Sequence, residues 1–89
     1  MATLFVRHTV ADYAAWRRIF DSFAPTQAAM GVTDKAVYQA ADDANEITVM
    51  HDFATVEEAK AFAGSAELKA AMQDAGVTSA PTIWFTNRV

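Results

Sequence analysis

The chain has 89 residues, with seven basic and eleven acidic side chains for a net charge of −4, and no cysteine. So short a chain has no room for two cores, its acidic balance rules out an electrostatic grip on nucleic acid, and without cysteine there is no disulfide, thiolate metal site or cysteine nucleophile. Apolar residues make up 53% against 20% charged, a surplus that a lone small domain cannot hide, so a second buried face, most simply a homodimer interface, is expected.

The opening MATLFVRHTV is too short and too soon charged for a signal peptide, and no apolar run approaches the ~20 residues of a membrane span. A single cytoplasmic domain over residues 1–89, with no membrane partner, is the expectation.

Ala2 to Val10 alternates, Leu4, Val6, His8 and Val10 against Phe5, Arg7 and Thr9, which predicts a first strand. Asp12 is placed to cap a helix whose apolar stripe is Tyr13, Trp16, Phe20 and Phe23. Pro25 should end or kink that helix near Phe23 or Ala24. The stretch TQAAM continues as a second helical piece, and Gly31 stops it. A second strand is predicted over Val32–Ala40 and a third over Glu46–Phe53, joined as a hairpin by the turn residues ADDAN. Thr55 and Glu58 have the spacing of a capping box for a helix with Val56, Ala59, Phe62 and Ala63 inward. Gly64 breaks it, Ser65 caps a last helix running through Leu68 and Met72 to Gly76, and Pro81 to Asn87 closes the chain as a strand.

Strand, helix, strand, strand, helix, strand is the ferredoxin-like βαββαβ order, an α+β fold with a four-stranded antiparallel sheet and an internal pseudo-repeat. Shifted by about forty-three positions, Val6, His8 and Ala11 fall on Val49, His51 and Ala54, and the Asp12 cap falls on Thr55. The first and third strands are expected side by side and parallel at the sheet centre, which would make His8 and His51 close neighbours facing the same way. One sheet face holds Leu4, Val6, Ile47, Val49, Ile83 and Phe85 beneath the helices. The other holds Phe5, Met50 and Trp84, with Tyr38 or Val37 alongside. A sheet face meant for solvent should be mostly polar, so Phe5, Arg7, Met50 and Trp84 are expected at a sheet-to-sheet dimer interface. Arg7 there would need an ion pair, in the simplest case with the partner.

The stretches VRHTVADYAAWRRIFD and FAGSAELKAAMQDAGV, together with the strand order, resemble the dimeric α+β barrel superfamily, and within it the antibiotic biosynthesis monooxygenase-like small proteins. The resemblance implies subunits paired through their sheets and pockets between helices and sheet. It also implies activities that range from cofactor-free oxygenation of aromatic polyketides and quinols to cyclisation, lactone isomerisation and haem degradation, with some members lacking a known reaction. The haem-degrading branch uses a helical histidine with asparagine and tryptophan. Here neither histidine lies on a predicted helix, and the only asparagines are Asn45 and Asn87.

The two histidines are therefore the candidate catalytic residues, in a small pocket with Tyr13, Trp16 and Phe53. A neutral imidazole would remove a phenolic or enolic proton and leave the electron-rich anion that cofactor-independent oxygenation or cyclisation needs. The competing reading makes His8 and His51 core residues that bond backbone or cap groups. A metal held by the pair with Asp12 is a weaker alternative, and no metal or cofactor is expected. The sequence thus predicts a small-molecule-binding protein, as a cofactor-independent monooxygenase or cyclase acting on an aromatic or polyketide-like compound. Otherwise it is a non-catalytic ligand-binding or sensing protein.

Overall fold

Two central strands, β1 (Ala2–Thr9) and β3 (Asp43–Phe53), organise the fold of the computed structural model, which describes Met1–Val89. β2 (Asp34–Ala40) flanks β3, β4 (Thr82–Asn87) flanks β1, and every neighbouring pair is antiparallel, in the order β2-β3-β1-β4. Helices α1 (Tyr13–Ser22), α2 (Ala24–Ala29), α3 (Val56–Ala63) and α4 (Ala66–Asp74) complete the chain.

The helix boundaries follow the local chemistry of the sequence. Asp12 accepts the Ala15 amide at 2.9 Å, Thr55 accepts that of Glu58 at 3.2 Å and Ser65 that of Leu68 at 3.1 Å, each satisfying a free donor of a first helical turn. Pro25 separates α1 from α2 by standing in the first turn of α2, where its missing N–H costs nothing. Gly31, at φ +99°, turns the chain out of α2 toward β2. β3 starts at Asp43, not Glu46, because Ala41 and Asp42 suffice for the turn and a register shift at Gln39/Ala40 takes up the irregularity.

The expectation of parallel central strands is corrected. With β2 joined to β3 by a hairpin and to β1 by a crossover, β3 must run against both, and β1 and β3 are antiparallel. The half-repeat has a geometrical meaning in this arrangement. Val6 and Val49, equivalent in the repeat, lie directly opposite each other, while His8 pairs with Ile47 and His51 with Leu4. The repeat is thus a local two-fold axis through the Val6–Val49 pair, and it carries His8 onto His51. The two histidines face the same side but at opposite ends. Their Cα atoms are about 14 Å apart at the usual strand rise.

Alternation buries Leu4, Val6, Ile47 and Val49 under the helices, where one cluster gathers around Phe53 and Phe62 and another around Trp16 and Phe20. Register places Tyr38, not Val37, on the outer face, in one row with Thr48 and Arg7. Phe5 and Trp84 stack there with ring centroids 5.2 Å apart, and Trp84 and Tyr38 are 39% and 56% exposed. At one end of that face Thr3 Oγ1 donates to the buried Asp52 carboxylate at 2.6 Å. The Arg88 amide donates to the Met1 carbonyl at 3.1 Å, tying the chain's two ends together beside β1. No helix is long and apolar enough to cross a membrane.

Candidate functional site

A cavity of about 40 Å³ lies between the inner sheet face and the helices, and both histidines line it. Val6 and Val49 form its floor, Trp16, Phe20 and Phe23 one wall, and Leu68 and Met72 of α4 the other. His8, near the end of β1, is 5% exposed and tilts against Trp16 with ring centroids 5.8 Å apart. His51 is 3% exposed and tilts against Phe62 at 5.2 Å.

Neither imidazole is satisfied. Both ring nitrogens of His8 and Nδ1 of His51 are buried without a hydrogen-bond partner. Buried polar atoms normally find one, so three orphans in a single cavity call for an explanation. The reading in which the histidines bond backbone or cap groups leaves these three nitrogens unaccounted for. Burial holds the His8 pKa below its ordinary value. His51 is lowered to about 4 by burial; a hydrogen bond with the Leu4 backbone pulls the other way, and the Lys35 charge adds a smaller push downward. At neutral pH both rings are uncharged and offer a lone pair to the cavity.

Of the expected pocket residues, Trp16 lines the cavity and the other two do not. Phe53 lies past His51 on the strand, fully buried against Phe62 at 5.6 Å. Tyr13 stacks on the outer side of Trp16 at 6.0 Å, and its hydroxyl accepts from Arg17 Nη1 at 3.3 Å. Asp12 is engaged as the α1 cap, and no three His, Cys, Asp or Glu side chains gather into a group suited to a metal ion. Arg7 finds its counter-charge inside the chain: its Nε donates to Glu46 Oε1 at 2.8 Å across the β1–β3 pair. Arg7 thus already has a counter-charge without a partner subunit.

Sequence reasoning missed two polar residues, Gln27 and Lys35. Gln27 is 2% exposed and lines the cavity from α2. Lys35 stands directly opposite His51 on β2. Its ammonium donates to Gln27 Oε1 at 2.5 Å and lies 5.1 Å from the Phe20 ring centroid. The signal was available in part, because the β2–β3 hairpin brings Lys35 to the helix side once the register is known.

No family model and no curated protein matches the chain. Solved structures do match it along its length. A provisionally named antibiotic biosynthesis monooxygenase from Bordetella bronchiseptica superposes with a TM-score of 0.84 at 15% identity, covering 99% of this chain and 96% of that one. SnoaB, a cofactor-independent oxygenase from Streptomyces nogalater, gives 0.75 at 15% identity over 99% and 94%. A protein of unknown function from Nitrosomonas europaea gives 0.75 at 23% identity over 96% and 85%. At such identities the likeness is one of architecture: the chain has the ferredoxin-like α+β fold of the antibiotic biosynthesis monooxygenase-like proteins.

Proposed function

We propose that the protein is a homodimeric small-molecule-binding α+β barrel protein, and that its cavity performs cofactor-independent oxygenation of a hydroxylated aromatic or polyketide-like compound. The observation that carries the reading is the pair of unpartnered, buried histidines in a cavity whose only other polar lining residue is Gln27. Such a site combines apolar walls for a ring system with a few polar groups that set its orientation. The ligand hydroxyl gives its proton to His8 or His51, and the electron pair stays on oxygen and spreads into the ring. Dioxygen then adds at a ring carbon as a hydroperoxide, and loss of water leaves a quinone. One phenol and one O2 give one quinone and one water, with the substrate supplying all the electrons. The likeness in fold to SnoaB, itself a cofactor-independent oxygenase, supports the same direction.

A cavity of about 40 Å³ holds a molecule or two the size of water, whereas an aromatic ligand needs several hundred Å³. Entry therefore requires α1 and α2 to part from α4. Met72, unbranched and adaptable, lines the α4 wall and is suited to yield. The same small volume favours a second reading, in which the site binds and senses a small ligand without turning it over.

The dimer completes the proposal by covering Phe5, Met50, Tyr38 and Trp84 on the outer face, an apolar surface unusual for a sheet facing water. Oxygen consumption by metal-free protein with hydroxynaphthalenes and anthrones tests the chemistry. Uptake that disappears in His8→Leu or His51→Leu supports oxygenation. Saturable binding with no uptake selects the sensing reading, and neither binding nor uptake sinks both.

A further inference from the structure

The local two-fold makes the cavity nearly symmetric, with a valine pair at its centre and an imidazole at each end. One feature breaks that symmetry. At the His51 end the cross-strand neighbour is Lys35. At the His8 end, extending the β1–β4 register by one residue places Pro81 opposite. Of the two histidines, only His51 therefore has a cation as its neighbour on the flanking strand.

The Lys35 ammonium is held in a defined place. It donates to Gln27 Oε1 and lies over the face of Phe20, and both of those residues line the cavity while Lys35 stands behind them. An ammonium has only hydrogens to give, so the glutamine must present its oxygen to it. The two N–H groups of the Gln27 amide then remain as donors and make no hydrogen bond within the protein. Gln27 is a buried amide on a six-residue helix, with its oxygen turned to Lys35.

We propose that Lys35 and Gln27 form an anion-recognising corner of the cavity, so that the preferred ligand carries an anionic oxygen, a carboxylate or the oxygen of an acidic phenol or enol, at its His51 end. The inference rests on the functional reading of the same cavity and deepens it. It also resolves a difficulty in that reading. A neutral imidazole disfavoured as imidazolium is a poor acceptor for the proton of an ordinary phenol. A fixed cation behind Gln27 and Phe20 stabilises the anion left in the cavity. A ligand that is already acidic, or becomes so beside Lys35, removes the mismatch. Lys35 acts here through charge and through Gln27, as a specificity-determining and positioning residue.

Calorimetric titration with two matched pairs of probes tests this: 2-naphthoate against 2-naphthamide, and 2-hydroxy-1,4-naphthoquinone against its neutral 2-methoxy ether. The parent protein is expected to bind each anion about tenfold tighter than its neutral counterpart, in keeping with one charge-assisted contact. Lys35→Met should remove that preference, and Lys35→Arg should restore it. A preference confined to naphthoate identifies carboxylates as the ligand class, and one confined to the hydroxyquinone identifies acidic phenols. Equal affinity within both pairs in the parent, or a preference that survives in Lys35→Met, overturns the proposal and leaves the cavity reading standing. No binding of any of the four probes overturns both.

Discussion

His8 and His51 are related by a two-fold axis and share one cavity, yet they stand four residues apart along the antiparallel β1–β3 ladder, opposite Ile47 and Leu4 respectively. They cannot chelate one ion between them or pass a proton directly, and each meets the cavity alone. A nitrogen with no partner destabilises the folded state, so His8→Leu is expected to be neutral or to stabilise by about 1 kcal/mol while abolishing any reaction that needs the ring. The double variant with His51→Leu should be additive within about 0.5 kcal/mol. Urea unfolding of the three variants is the measurement. A loss of several kcal/mol for His8→Leu would mean that the ring makes a structural bond in solution.

Stability should depend on pH with a definite sign. The folded His51 pKa, about 4, lies below the ordinary 6.5, so between these values the unfolded chain binds more protons. The contribution is therefore complete above pH 6.5 and drains away as pH falls toward 4, by up to ~3 kcal/mol. The lowered His8 adds in the same direction. Unfolding midpoints at pH 7.5 and 4.5 should fall further apart in the parent than in His51→Leu, which lacks the titrating ring. Equal falls in both proteins would show that His51 titrates normally.

The Thr3–Asp52 hydrogen bond joins the two central strands at a buried position. Thr3→Val keeps the shape and removes the donor, leaving a buried carboxylate without its hydroxyl, at a cost of about 1–3 kcal/mol. Asp52→Asn retains an oxygen to accept the bond and should cost less. Reversal of that order in urea unfolding would mean that Asp52 is held by something other than Thr3.

Trp84, on the edge strand β4, stacks on Phe5 of the central β1 on the outer face. Trp84→Lys should shift the proposed dimer to monomer in native mass spectrometry, because a cation buried in an apolar sheet-to-sheet contact has no partner there. Arg7 and Glu46 already neutralise each other within the chain. A variant that remains dimeric would move the interface off this face.

The elements were legible because caps, breakers and alternation act locally: Asp12, Thr55 and Ser65 start helices and Gly31 and Gly76 leave them with positive φ, as their positions in the sequence imply. The pairing direction of β1 and β3 required topology, and taking it as parallel brought His8 and His51 too close. The strand period sets the side that His8 and His51 face, and the apolar stripe of α1 sets that of Trp16, so all three reach the cavity. Phe53 and Tyr13 do not, because two residues more along a strand, or one turn nearer a helix start, moves a side chain past the cavity's edge. Gln27 and Lys35 were only partly legible, for another reason. Polar residues in a short helix and an edge strand look solvated until tertiary packing folds α2 over the sheet.

The backbone bond from Arg88 to Met1 bears on how such a chain can be rearranged. With head and tail already touching, the fold is close to a closed ring of two equivalent segments, each a strand, a helical pair and a strand. The order in which the segments are read from the gene is then of little structural consequence. Joining the ends with a short linker and reopening the ring at the exposed Ala41–Asp42 turn would exchange the two segments in the sequence and leave both histidines in place, one at each end of the same cavity.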